Sequence, residues 1–148
     1  MLKTAVLVSG LLLLGAQAQA QVRSGEERWG PPPPGLPAGA QVAVIDGDPS
    51  KAGPFTIRAK MPAGYTVPPH SHPTAENVTV LSGDLTVGMG DKLSPENGAK
   101  LRPGDFISLK ATMHHFATTT SGGVIQISAE GPFAITYVNP ADDPRGNR

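Results

Sequence analysis

Four histidines carry most of the metal and acid–base chemistry that this sequence offers. They fall in two tight pairs, His70 with His72 and His114 with His115, and the 148-residue chain contains no cysteine. The lack of cysteine excludes disulfides, thiolate metal sites and a cysteine nucleophile. A metal site in this chain must therefore use nitrogen and oxygen ligands, which suit a divalent first-row transition metal.

The spacing of one histidine pair and a nearby carboxylate predicts such a site. Residues two apart in a strand point to the same face, so His70 and His72 can converge on one point. Glu76 begins the next β segment in phase with Val78, and a carboxylate on that apolar face is costly to bury without a cation. With His115 from another segment, three imidazoles and one carboxylate form a site for one divalent transition metal, Fe, Mn, Ni, Cu or Zn. An octahedral ion held this way keeps two positions open.

The second histidine pair leaves the fourth ligand open. Neighbouring residues of a strand face opposite sides, so only one of His114 and His115 reaches the ion. A local bulge would exchange their directions, and the residue left over would be a surface or rim histidine. The alternative for the whole set is four hydrogen-bonded histidines with no metal.

Two segments of the chain resemble the sequence motifs of the cupin superfamily. The first motif, Gly-x5-His-x-His-x3-Glu-x6-Gly, is matched at every specified position, by Gly64, His70, His72, Glu76 and Gly83. The second motif, Gly-x5-Pro-x-Gly-x2-His-x3-Asn, is matched at Gly104 and His115, while its Pro, Gly and Asn are replaced by Lys110, Thr112 and Thr119. The motif spacing favours His115 over His114 as the ligand.

The resemblance covers about residues 42–137 and is to small single-domain cupins. It implies an all-β fold, the cupin β-jelly-roll barrel, with His70, His72, Glu76 and His115 as the metal ligands. The three-His, one-Glu set is that of quercetinase-like and oxalate-degrading cupins, so the resemblance favours a metal-dependent dioxygenase or related oxidoreductase acting on a small organic molecule. Isomerases, decarboxylases and lyases share the fold, which by itself does not choose among them.

Two non-enzymatic hypotheses stand beside the enzyme. The barrel can be a binding module that holds a metal or a small metabolite without turnover. It can also be an interaction protein whose proline-rich arm is exchanged with a partner barrel in a homodimer. We find no Ser-His-Asp or paired-carboxylate pattern that assigns a catalytic residue.

Short β segments must position the histidines. The chain has 18 glycines and 16 prolines, which suit many short strands joined by turns. Eight strands are predicted, over residues 41–45, 54–60, 77–81, 84–88, 105–109, 115–119, 124–128 and 133–138, and this number favours a sandwich or a closed barrel. Ser82-Gly83-Asp84 predicts a tight hairpin between two of them.

The ends of the chain differ from this barrel pattern. Residues 1–20 have a positive start, a short apolar stretch and a small-x-small site, which predicts a cleaved signal peptide and a periplasmic or secreted protein. Residues 21–40 form a Pro-rich arm, in which Trp29 is expected to lay the arm on the barrel. The barrel then spans residues 41–139, and a polar tail spans 140–148.

Charge balance narrows the expected partners. The chain has 12 basic and 12 acidic residues, so its formal net charge is zero, which argues against nucleic-acid binding by a broad basic surface. We expect a small-molecule partner and, after signal cleavage, no membrane.

Four other side chains are weaker candidates for the site. Gln126 faces either the cavity or solvent, and Lys110 is a pocket cation or an exposed lysine. Tyr65 and Tyr137 pack in the core by default.

Overall fold

Ten short strands build the described part of the protein. The computed structural model describes residues 21–146. The strands are β1 (Gln41–Asp46), β2 (Gly53–Met61), β3 (Thr66–Ser71), β4 (Glu76–Gly83), β5 (Leu85–Met89), β6 (Ala99–Leu101), β7 (Phe106–Leu109), β8 (His115–Thr118), β9 (Gly123–Gly131) and β10 (Thr136–Tyr137). Two short 3-10 helices, Pro95–Asn97 and Pro140–Asp142, complete the secondary structure of these residues.

The strands form two five-stranded antiparallel sheets. The first sheet has the order β1-β2-β9-β4-β7 and the second has the order β10-β3-β8-β5-β6. From β2 to β10 the chain changes sheet at almost every connection, so strands that are neighbours in sequence rarely pair. This arrangement is a jelly roll, and the predicted all-β fold class is confirmed.

Alternation of apolar and polar residues builds the core between the sheets. In β2, Ile57 and Ala59 are buried, while Arg58 between them points away from the core. Ile127 of β9 joins these residues from the first sheet, and Val87 of β5 meets them from the second. The interior of the barrel is therefore apolar wherever the histidine cluster does not reach.

The hairpin predicted at Ser82-Gly83-Asp84 is wrong. β4 pairs with β7 and β9, whereas β5 pairs with β6 and β8, so the turn is a corner that carries the chain from the first sheet to the second. Asp84 accepts hydrogen bonds from the backbone N–H groups of Thr120 and Ser121, 2.9 and 2.7 Å away, and so anchors this corner to a distant loop. A turn signal reports a change of direction and contains no information on which strand pairs with which.

Two strands were not predicted from the sequence. β3 contains Pro68 and Pro69, which argue against a strand because proline cannot donate to the ladder. The structure accommodates them at a register irregularity between Val67 and His70, so β3 still pairs with β8 on one side and β10 on the other. β6 is only three residues long, and the predicted segment 133–138 is reduced to the two residues of β10.

The N-terminal arm lies along the edge of its own barrel. Gly30 and Val42 exchange backbone hydrogen bonds of 2.9 and 3.0 Å, which places the arm beside the edge strand β1. The Nζ atom of Lys60 lies 4.4 Å from the ring centroid of Trp29, a cation–π contact with β2. Trp29 thus contacts the barrel as the sequence predicted.

The proline-rich part of the arm then crosses to the second sheet. The Tyr137 hydroxyl donates to the carbonyl of Gly35 (2.7 Å), and the Tyr65 hydroxyl donates to the carbonyl of Pro37 (2.6 Å). The arm therefore connects the edge strand β1 of one sheet with the β10 and β3 side of the other. Among the described residues no helix is long and apolar enough to cross a membrane, and the signal peptide predicted for residues 1–20 lies outside them.

Candidate metal centre

Both sheets contribute to the histidine cluster. His70 is the last residue of β3 that pairs with β8, and it lies opposite His115, the first residue of β8. His72 follows β3 directly, and Glu76 is the first residue of β4 in the facing sheet. All four side chains are buried, with residue exposures of 3–6%. The predicted period-two geometry and the start of β4 thus bring together the residues that the sequence selected.

The three histidines lie within coordination range of a single ion, and Glu76 lies beside two of them. One ring nitrogen from each of His70, His72 and His115 lies within 4.8 Å of the others. Oε2 of Glu76 lies 3.6 Å from Nε2 of His72 and 3.3 Å from Nε2 of His115. Three ring nitrogens therefore lie close enough to share one buried ion, with a carboxylate oxygen beside two of them.

Backbone carbonyls fix the tautomer of each clustered histidine. In each ring Nδ1 lies within hydrogen-bond distance of a carbonyl oxygen, as His70 to Pro68 (2.7 Å), His72 to Ala134 (2.7 Å) and His115 to Met113 (2.9 Å). A carbonyl can only accept, so Nδ1 carries the proton and donates. Nε2 then presents a lone pair to the cluster, and the same arrangement orients metal-bound histidines in proteins.

With these tautomers the centre of the histidine cluster has no hydrogen-bond donor. The lone pairs of Nε2 on His72 and His115 face the Oε2 atom of Glu76, which is also an acceptor. Nε2 of His115 is buried and has no hydrogen-bond partner. Acceptors that face one another in an apolar interior are unfavourable unless a cation lies between them. The residues present therefore fit a divalent metal ion with nitrogen and oxygen ligands.

The pKa shifts agree with a cluster prepared for a cation. Burial lowers the pKa of His70 to about 3, and the nearby rings of His115 and His72 add to this effect. Burial also lowers the pKa of His72. His70 and His72 are thus neutral at neutral pH, as metal-binding histidines must be.

His114 lies outside the cluster. Its side chain is 45% exposed, and its Nδ1 atom lies 2.6 Å from Oδ1 of Asp91. The adjacent His115 points inward, as expected from the alternation of strand residues. The structure therefore places His115 in the cluster and His114 on the surface, the arrangement that motif spacing favours.

The turn before His115 contains a left-handed residue at the position where the motif has glycine. Thr112 stands where the motif has glycine and adopts φ +62°, in the left-handed region that a β-branched residue rarely enters. The N–H of Met113 bonds to the carbonyl of Lys110, so Thr112 is the third residue of a tight turn. The N–H of Thr112 bonds to the carbonyl of His72 at 2.8 Å, which ties this turn to the cluster.

Several side chains that the sequence left open now have positions. Gln126 faces the outer surface, where its Oε1 atom accepts a hydrogen bond from Nε of Arg58 at 3.2 Å. Lys110 is exposed. Tyr65 and Tyr137 are buried, and both hydroxyls donate to the arm. None of these polar groups contacts the centre of the cluster.

A small cavity of about 90 Å³ extends from the cluster into the barrel. The Phe133 ring stacks on His72, with centroids 4.4 Å apart and planes inclined by 15°. Leu36 of the arm forms part of the cavity wall together with apolar residues of both sheets. Sequence reasoning missed Phe133 and Leu36 as site residues, because both reach the cavity through long-range packing that no local pattern reports.

Comparison with a family model identifies the fold family. The model described as "Cupin domain" matches residues 57–127, which include the whole histidine cluster. The chain belongs to the cupin superfamily. The membership agrees with the jelly-roll topology and with the two motifs found in the sequence.

Several solved structures share this fold at low sequence identity. The polyketide cyclase RemF from Streptomyces resistomycificus is 15% identical with a TM-score of 0.66, over 85% of this chain and 89% of that chain. A putative acetylacetone dioxygenase from Methylibium petroleiphilum PM1 is 19% identical with a TM-score of 0.65, over 90% of each chain. An RmlC-like cupin from Shewanella frigidimarina NCIMB 400 is 14% identical with a TM-score of 0.58, over 77% and 92%. Comparison with curated proteins gives no match.

Proposed function

We propose that this cupin binds one divalent transition metal through His70, His72, Glu76 and His115. The observation that carries the proposal is the donor-free centre, in which imidazole lone pairs face a buried carboxylate and Nε2 of His115 has no hydrogen-bond partner. A divalent cation turns these repulsive contacts into bonds. Which metal occupies the site depends on supply and ligand set, and Fe, Mn, Ni, Cu and Zn all suit nitrogen and oxygen ligands.

The leading activity is that of a metal-dependent oxidoreductase, in the manner of a dioxygenase, on a small organic molecule. A bound transition metal would supply a Lewis acid and a site for dioxygen. The chain supplies the surroundings: backbone carbonyls hold the imidazoles, Phe133 and the barrel wall exclude water, and Oε2 of Glu76 is the acceptor available for a substrate proton. The fold similarity to a putative acetylacetone dioxygenase supports this class without assigning a substrate.

One observation favours the non-catalytic alternative, a module that holds a metal or small metabolite. Apart from the four clustered residues, the cavity wall formed by the described residues has one polar side chain, that of Tyr65. Its hydroxyl already donates to the carbonyl of Pro37, and burial raises its pKa to about 12. Proton transfer in the cavity would therefore depend on Glu76.

Elemental analysis of the purified protein tests the metal site. We expect about one equivalent of a transition metal per chain, and His72→Ala to weaken metal binding by more than about 100-fold because one of four ligands is lost. His114→Ala is the matched control, since it removes a histidine that lies outside the cluster. A protein that takes up no metal after reconstitution, or equal loss in both variants, would contradict the proposal.

Turnover separates the enzyme from the binding module. The metal-loaded protein is incubated with diketones, flavonols and oxalate-like acids while dioxygen consumption and product formation are recorded. An oxidoreductase shows turnover that His72→Ala and the metal-free protein both lose. Saturable binding without turnover throughout the panel supports the module instead.

We also propose that the protein is exported after removal of residues 1–20. The support is the pattern of a short apolar stretch followed by a small-x-small site at Ala18-Gln19-Ala20. Amino-terminal sequencing of protein from the periplasm or medium should begin at Gln21. Recovery of the full-length chain in the cytosol alone would contradict export.

A further inference from the structure

The net charge of the metal ion and its protein ligands limits which further ligands can bind to the ion. Metal-bound imidazoles are neutral and a ligating carboxylate is ionised. A divalent ion with three imidazoles and Glu76 therefore has one net positive charge. Four protein ligands leave two positions of an octahedral ion, enough for a chelating ligand.

No other charged side chain of the cavity changes this single positive charge. In the part of the chain that the structure describes, neither lysine nor arginine lines the cavity, and Glu76 is its one carboxylate. The nearest β2 cation, Arg58, points outward to Glu27 and Gln126. A ligand with one negative charge would make the loaded centre neutral, whereas a dianion would leave an excess negative charge buried among apolar groups, which is costly.

The remaining surface of the cavity selects for apolar groups. Ile57, Val78 and Leu109 belong to its wall, and Leu36 lines it from the arm together with Pro33 and Pro34. The hydroxyls of Tyr65 and Tyr137 are directed to carbonyls of the arm and are not free for a ligand. At about 90 Å³ the cavity is much smaller than the hundreds of cubic ångströms typical of drug-sized ligands.

We propose that the site takes a compact, mainly apolar ligand that has a single negative charge and chelates through two oxygens, such as the enolate of a small β-diketone. The inference rests on the proposed metal site and deepens it by naming the ligand class. Leu36 is the specificity-determining residue that limits ligand size from the arm side.

Oxamate and oxalate test the charge requirement because they have nearly the same size and chelating geometry but differ by one negative charge. The full chain is loaded with Co(II), its metal content is measured, and each anion is titrated while the visible spectrum of the ion is followed. In water oxalate binds divalent ions more tightly than oxamate does. In the protein we expect this order to reverse, with oxamate binding at least about tenfold more tightly. Oxalate binding more tightly than oxamate would overturn the inference.

Two diketones test the size requirement with the chelating group kept constant. Acetylacetone should shift the Co(II) spectrum saturably and raise the melting temperature, whereas dibenzoylmethane should bind at least about tenfold more weakly. Leu36→Ala should reduce this difference, because it removes part of the wall. Leu93→Ala, which truncates an exposed leucine outside the cavity, should leave it unchanged. Leu36→Val serves the same purpose if melting shows that Leu36→Ala is unfolded.

The outcomes distinguish this inference from the function on which it rests. A protein that takes up no Co(II) overturns both, and this appears in the metal analysis before any ligand is added. A loaded protein that prefers oxalate, or binds both diketones equally, overturns the ligand class and leaves the metal site standing. An unchanged size preference in folded Leu36 variants overturns the assigned role of Leu36.

Discussion

At the scale of single residues, Glu76 is the side chain whose placement is hardest to explain without a cation. Its carboxylate is buried on the apolar face of β4 and faces Nε2 atoms that have no proton to donate. Without a metal, the contacts between this carboxylate and the imidazole lone pairs are unfavourable. A site built for function therefore reduces the stability of the metal-free protein.

Glu76→Gln is expected to stabilise the metal-free protein and weaken metal binding. The amide has nearly the same shape and can donate hydrogen bonds to the lone pairs of His72 and His115, while it is a poorer metal ligand than a carboxylate. Thermal melting in chelator should show a higher melting temperature, and titration of Co(II) a weaker affinity. Glu96→Gln, an exposed control, should change neither. A lower melting temperature of metal-free Glu76→Gln would contradict this view of the centre.

Thr112→Gly is expected to stabilise the protein by about 1 kcal/mol. A β-branched residue at φ +62° is strained, while glycine adopts this conformation without a Cβ penalty and loses part of the gain through chain entropy. Denaturant unfolding measures the difference. Ala111→Gly, in the same turn but without a positive φ, should destabilise instead. Equal effects of the two substitutions would show that the left-handed conformation is not the cause.

At the scale of elements, the corner between β4 and β5 decides which strands meet. Gly83 adopts φ +75°, and a Cβ at this position would lie 1.9 Å from the carbonyl oxygen of Gly122. The close approach of the two loops lets β4 enter the first sheet while β5 enters the second. This close approach requires glycine at position 83, whereas a hairpin turn surrounded by solvent would have room for a Cβ.

Gly83→Ala is expected to destabilise the protein by more than about 3 kcal/mol or to prevent folding, because backbone clash adds to backbone strain. Gly90→Ala is the matched control: its φ is +99°, but nothing lies within 4 Å of the added Cβ. It should cost about 1 kcal/mol from strain alone. Chemical denaturation of both variants gives the comparison, and similar losses would contradict the role assigned to the Gly122 contact.

At the scale of the whole molecule, the buried histidines couple folding to pH. Burial lowers the pKa of His70 to about 3 and also lowers that of His72, while both titrate near their usual value of about 6.5 in the unfolded chain. Between about pH 3 and pH 6.5 the unfolded chain binds more protons than the folded chain. The stability of the metal-free protein must therefore fall as the pH decreases through this range.

Melting of the chelator-treated protein between pH 8 and pH 4 measures this effect. We expect a melting temperature that is nearly constant above about pH 7 and falls steadily below about pH 6.5. A stability maximum in acid would contradict the burial of neutral imidazoles.

The strands show how far local sequence patterns reach. β9 and β2 were predicted because alternating Ile, Val and Phe residues define one buried face, and that period needs no knowledge of the partner strand. β3 escaped prediction because Pro68 and Pro69 argue against a ladder, and only its two neighbours and a register irregularity make the strand possible. The hairpin at Gly83 failed because pairing is a long-range property.

The sequence by itself determined the ligand candidates and the all-β class. The two-residue spacing of His70 and His72 points both to one face of a strand, and Glu76 begins the next strand in phase with Val78, and both are local properties of the backbone. Only the tertiary structure decided that His115 rather than His114 faces the cluster, that the imidazole protons point away from it, and that Leu36 and Phe133 wall the cavity. These features arise where segments distant in the chain meet, and the packing that joins them has no signature within any one segment.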